Sequence, residues 1–86
     1  MRVLIPTPLY SYTSGKSIVD GEGQTLGEVL AHLDARFPGI RFRVVDEQDG
    51  IRPHIRFFVG GEMAPGLATL VAPGADVQII CALSGG

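Results

Sequence analysis

The sequence predicts an α+β fold, a mixed sheet with one main helix packed on one face. Three observations carry that reading. Apolar residues recur at helical spacing over Leu26, Val29, Leu30, Leu33 and Phe37, directly behind a helix-capping signal. Short strand-like runs precede this helix and others follow it. The last of them, residues 77–83, is apolar on both faces, as expected of a strand in the middle of a sheet. The chain has 86 residues, of which 45% are hydrophobic, enough for one compact domain and too few for two.

The first strand rests on Val3 and Ile5, which alternate with Arg2 and Leu4, and Pro6 and Pro8 bring it to its end or to a sheet edge. A turn at Ser14-Gly15 leads into residues 16–20, where Ile18 and Val19 mark the return strand of an antiparallel hairpin. Thr25-Leu26-Gly27-Glu28 reads as a capping box: Thr25 caps the helix while Glu28 reaches back to the amide of the cap residue. Glu28, His32 and Ala35 fall on the outer face, and Pro38-Gly39 stops the helix. Phe42, Val44 and Val45 then suggest a short strand before the polar turn Asp46-Glu47-Gln48-Asp49-Gly50. Residues 55–59 are the most strand-like stretch, and Gly60-Gly61 can supply the positive φ values of a tight turn into Glu62-Met63. Residues 67–71 read as a short helical or irregular crossing, and Pro73-Gly74-Ala75-Asp76 turns again. The final strand sets Val77, Ile79, Cys81 and Leu83 on one face, with Ile80 and Ala82 opposite. This order, with the last strand central, is a β-grasp layout. In such a mixed sheet the first and last strands can lie side by side in parallel, because the helix supplies the crossover.

Composition excludes several classes of function. A single cysteine, Cys81, cannot build an intramolecular disulfide framework. Met1-Arg2 runs into Val3-Leu4-Ile5 without a signal-peptide pattern, so the expected compartment is the cytoplasm. No apolar stretch approaches the roughly 20 residues that span a bilayer, which argues against a membrane protein. A net charge of −2 argues against a general nucleic-acid binder. Arg41, Arg43, Arg52 and Arg56 do gather near Phe42, Phe57 and Phe58, and we expect an exposed strand face there with the aromatic rings turned into the core.

The catalytic inventory is poor. His32 and His54 have no spaced partners and read as surface histidines, and Cys81 has no neighbouring base and reads as a small core residue. No catalytic residue, metal ligand or bound cofactor is expected. Gly21-Glu22-Gly23 lies between a strand and a helix, but the third glycine of a dinucleotide fingerprint would fall at Leu26, so these are turn residues.

What remains is the end of the sequence, Cys81-Ala82-Leu83-Ser84-Gly85-Gly86. We expect residues 1–83 to form the domain and residues 84–86 a flexible C-terminal tail. Glycines lack side chains, so Gly85, with Ser84 ahead of it, can thread a narrow channel and carry the Gly86 carboxylate to a nucleotide bound elsewhere. That carboxylate is ionised at neutral pH and can attack the α-phosphate of ATP, giving an acyl-adenylate that a sulfur nucleophile opens. An ordinary frayed end has the same appearance.

Compared along its whole length, the chain resembles the MoaD/ThiS family of ubiquitin-like sulfur carriers. The resemblance runs through Ile5-Pro6-Thr7, Gln24 to Leu30, Pro38-Gly39-Ile40, Arg52 to Val59, Gly66-Leu67, Thr69, Ala75-Asp76-Val77 and Gly85-Gly86. It is nearest to the subgroup associated with cysteine biosynthesis, although the small subunit of molybdopterin synthase is built on the same plan. Two departures stand out: the family's frequent Val-Asn-Gly-Glu turn appears as Val59-Gly60-Gly61-Glu62, and a common tail proline is replaced by Cys81.

The resemblance implies a carrier cycle. An adenylyltransferase of the ubiquitin-activating type, using ATP, would activate Gly86. A sulfurtransferase or other sulfur donor would convert it to a thiocarboxylate, and a sulfur-accepting biosynthetic enzyme would take the sulfur. The chain itself would be a protein co-substrate and no enzyme, and Leu83 would match the apolar residue that helps partner docking. A ubiquitin-like modifier joined through Gly86 to target lysines uses the same terminal chemistry, and a passive binding domain would not need Gly85-Gly86 at all.

Overall fold

The computed structural model describes residues 1–82. Five strands, β1 (Arg2–Leu4), β2 (Ile18–Asp20), β3 (Ile55–Val59), β4 (Glu62–Met63) and β5 (Val77–Cys81), form one mixed sheet in the order β2-β1-β5-β3-β4. β1 and β5 run parallel, with Val3 opposite Val77, and the other neighbours are antiparallel. The β-grasp order, the parallel pair and the central place of the last strand are as the sequence predicts. The predicted end of that strand at Leu83, and the boundary between domain and tail, lie outside the described residues.

Helix α1 (Leu26–Arg36) covers one face of the sheet. Its Leu26, Val29, Leu30 and Leu33 are buried in one core with Val3, Val19, Phe57, Val77 and Ile79. The Thr25 hydroxyl caps it by accepting from the Glu28 amide at 3.2 Å. Glu28 reaches back as expected, but its Oε1 accepts from Gln24, one residue before the cap, at 2.9 Å. Phe37 lies just past the helix as its C-cap with φ −128°, half-buried against the core.

Phe42, Val44 and Val45 do not form the expected strand. Ile40–Val44 is a second short helix, α2. Gly39, at φ 96°, turns the chain after Pro38, and the Asp34 carboxylate accepts from the amides of Gly39 and Arg41, both at 3.1 Å. Those bonds satisfy amides that a helix start leaves without intrahelical partners. Ile40 and Val44, one turn apart, are both buried, whereas Phe42 faces out and is 55% exposed. Val45 makes only an isolated bridge to Ile51.

Another difference lies after β1, where Thr7–Tyr12 winds into a 3-10 helix. Pro8 fits its first turn because no amide is needed there, and the Leu9 amide donates to Pro6 O at 2.9 Å, burying Leu9. Gly60 and Gly61 take φ 59° and 87° in the tight turn between β3 and β4, as expected. Residues 67–71 are irregular, with Leu70 bridging Thr25.

The expectation that β5 is buried on both faces fails. Val77 and Ile79 are buried, but Gln78 is exposed and Ile80 only half-buried. Both helices contribute to one core on one side of the sheet, and the outward side chains of β5 have no described element over them.

Candidate functional site

The sheet face with no described element over it is more apolar than solvent exposure requires. Ile18, Leu4, Gln78, Phe58 and Met63 stand in one register row across the five strands, and Ile80 and Arg56 pair in another. Ile18 is 47% and Met63 59% exposed, while Leu4, Phe58 and Ile80 are half-buried. Beside β1 and β5 this face deepens into a groove of about 660 Å³, lined by Leu4, Pro6, Pro8, Ile18, Ile80 and Cys81 among others. The 3-10 turn forms one wall because Pro6 ends β1 and folds the chain back beside Ile18. A continuous apolar patch of this kind on a small domain marks a surface for another molecule.

The groove lies at the end of the sheet where β5 leaves it. Ile55 is opposite Cys81, and the Ala82 amide donates to His54 O at 2.7 Å, the last ladder bond among the described residues. Leu83, Ser84, Gly85 and Gly86, the four residues to which the sequence assigns docking, threading and sulfur carriage, lie outside the described residues. The sequence leads to an apolar patch of exposed sheet residues around Leu83 but does not locate this groove or name its lining. Its signal was the second apolar residue in each edge pair, Leu4 beside Val3 and Ile18 beside Val19.

The remaining candidates fall in separate places. Cys81 is a free, half-buried thiol that packs against the core and also lines the groove, so it is less enclosed than a core residue. His54 is exposed, as expected. His32 is half-buried instead of fully outward, because it sits on the flank of α1 beside the turn that carries Glu22. Its Nε2 is 3.9 Å from Glu22 Oε2, and its Nδ1 has no hydrogen-bond partner among the described residues. The arginine segment is no simple strand face: Phe57 is buried, but Phe42 is exposed under the Arg52 guanidinium, 4.6 Å from the ring centre. Asp46 accepts from the amides of Gly50 and Gln48, both at 2.9 Å, and these bonds hold its carboxyl below the usual range. Among the described residues no group of three His, Cys, Asp or Glu could hold a metal ion, and no helix is long and apolar enough to cross a membrane.

The sequence profile of the ThiS family matches residues 3–86. The chain belongs to the ThiS family. A relative in sequence is the sulfur carrier protein CysO of Mycobacterium tuberculosis (strain ATCC 25618 / H37Rv), 37% identical over 91 aligned positions that cover 100% of this chain and 98% of the relative. The crystal structure of Mycobacterium tuberculosis CysO superposes with a TM-score of 0.89 at 34% identity, covering 95% of this chain and 98% of that one. CysO in the Amycolatopsis orientalis BexX/CysO complex gives a TM-score of 0.90 at 32% identity, covering 99% and 98%. This ThiS-family chain is therefore a homologue of the CysO sulfur carriers over essentially its whole length, with the β-grasp fold read from its sequence.

Proposed function

We propose that this chain is a sulfur carrier whose Gly86, as the free C-terminal residue, is adenylated and converted to a thiocarboxylate that donates sulfur in cysteine biosynthesis. The observation that carries this reading is the end-to-end similarity to CysO, a protein named as a sulfur carrier. In the cycle a Gly86 carboxylate oxygen attacks the α-phosphorus of ATP, pyrophosphate leaves, and an acyl-adenylate forms on a ubiquitin-activating-type adenylyltransferase. Hydrosulfide from a sulfur donor then attacks the acyl carbon, AMP leaves and the thiocarboxylate forms. Where the sulfur arrives as the persulfide of a sulfurtransferase, the same attack expels AMP to give an acyl disulfide, and a second thiol cleaves its S–S bond, releasing the thiocarboxylate and leaving a disulfide on the donor. The chain contributes the acyl group and no catalytic residue, and it works in the cytoplasm.

Geometry supports the partner half of this proposal. Four residues beyond Ala82 reach at most about 14 Å when fully extended, so the adenylating centre must come close to the end of β5. The groove walled by Leu4, Ile18 and Ile80 is beside that exit, and together with Leu83 it forms the docking surface for the adenylyltransferase and for the sulfur acceptor. The Amycolatopsis orientalis CysO forms a complex with BexX, which supports stable docking of this fold on another protein.

ATP–pyrophosphate exchange by the cognate adenylyltransferase tests the proposal. Exchange should require the native chain and be lost when Gly86 is removed. No exchange with the native chain would overturn it, and Gly86-linked branched peptides in a cell digest without any thiocarboxylate would assign the chain to protein modification instead.

A further inference from the structure

Helix α2 and the segment joining it to β3 bring a second surface to the exit of β5. Phe42, Arg43, Arg52 and His54 line a cleft of about 250 Å³. Arg52 lies over the Phe42 ring and its Nε donates to Phe42 O at 2.8 Å, which fixes the guanidinium plane. Among the described residues neither Arg43 nor the terminal nitrogens of Arg52 have a hydrogen-bond or ion-pair partner. Arg41, by contrast, is paired with Asp49 at 2.7 Å. Asp46 is near enough to Arg52 for their charges to attract, but its Oδ1 is already held by the Gln48 and Gly50 amides. The chain as a whole carries −2, so this local excess of positive charge runs against the overall sign.

We propose, building on the carrier reading, that this cleft is the charged rim of the docking interface and fits an acidic surface segment of the adenylyltransferase, whose Asp or Glu carboxylates bridge Arg43 and Arg52. The position of the cleft matters as much as its charge. His54 O accepts the Ala82 amide, so any protein that receives the residues after Ala82 approaches the cleft as well. A guanidinium already held by an aromatic ring and one backbone bond loses little freedom on pairing with a carboxylate, and its planar fork matches two oxygens. Charges at an interface rim act mainly on encounter and orientation and are weakened by salt. The cationic rim therefore governs how readily the carrier is captured, while the apolar groove holds it.

Steady-state adenylation by the purified cognate adenylyltransferase reads this out. Arg43 is exposed and bonded to nothing described, so Arg43→Glu leaves the fold intact; Arg52→Gln removes the second charge, and Arg43→Lys is the conservative control. At low salt Arg43→Glu should raise the KM for the carrier about tenfold with kcat within about twofold, and Arg43→Lys should stay near native. In about 0.5 M NaCl the difference should shrink to about twofold. A native KM for both Arg43→Glu and Arg52→Gln at low salt overturns the proposal, as does a KM increase that salt leaves undiminished. Failure of the native chain to be adenylated at all would instead remove the carrier reading beneath it.

Discussion

Arg2 and Asp76 form a two-point ion pair, with Nη2 2.6 Å from Oδ2 and Nε 3.3 Å from Oδ1. The pair joins the start of β1 to the turn entering β5 and clips these parallel strands at the end opposite the groove. Hydrogen bonding from Arg2, with its charge as a smaller cause, holds the Asp76 carboxyl below its usual range. A carboxyl lowered in the folded state stabilises above its unfolded value, about 3.9, and that contribution is lost as pH falls through the folded value. Asp76→Asn should therefore lower the thermal midpoint slightly at neutral pH, and the two proteins should converge in strong acid. Midpoints across the acid range check this; coincident curves at every pH would show that the pair contributes nothing, and a constant offset would show that its contribution does not come from the ionised carboxyl.

Leu30 is 1% exposed between α1 and the sheet. Leu30→Ala should cost about 2–5 kcal/mol in urea denaturation, from lost transfer energy and the cavity left behind. An unchanged midpoint would contradict the packing of α1 described above.

Asp34 supplies the carboxylate that caps the start of α2. Asp34→Ala should destabilise by about 0.5–2 kcal/mol, and Asp34→Asn, which keeps an acceptor, by less. Equal losses for the two would mean that the acceptor oxygen is not what matters at this position.

These sites also show how far the sequence could be read. Thr25 and the spacing of Leu26, Val29, Leu30 and Leu33 are local signals, so α1 and its cap were legible. The five-residue α2 was not, because its start depends on a carboxylate five and seven residues away and its apolar residues are too few to separate helical from strand spacing. Gly21 and Gly23 read from the sequence as turn residues, and the structure adds a packing reason: a Cβ would stand 2.7 Å from Val3 Cγ2 at Gly21 and 2.6 Å from the Val29 nitrogen at Gly23. Ile80 reads as core because its neighbours are apolar, and nothing local says that no described element packs over its side of the sheet. For the site, Gly85-Gly86 was visible as a pattern, whereas the groove depends on Pro6, Ile18 and Ile80 meeting across the sheet.

Ile18 lines the groove on the outward side of β2, 47% exposed. Ile18→Glu should change stability by no more than about 0.5 kcal/mol, as at most surface positions. It should nevertheless raise the carrier KM in adenylation at least about tenfold, because it puts a charge into an apolar contact. A native KM in a folded variant would remove the groove from the docking surface.

The measurement closest to the central claim is intact mass spectrometry after incubation with the cognate adenylyltransferase, ATP and a sulfur donor. The native chain should exchange one terminal oxygen for sulfur. A chain lacking Gly86, a chain extended by a C-terminal tag, and Gly85→Val, which adds a branched side chain to the threading segment, should all remain unloaded. A native chain that never gains sulfur under conditions where an established carrier does would contradict the account.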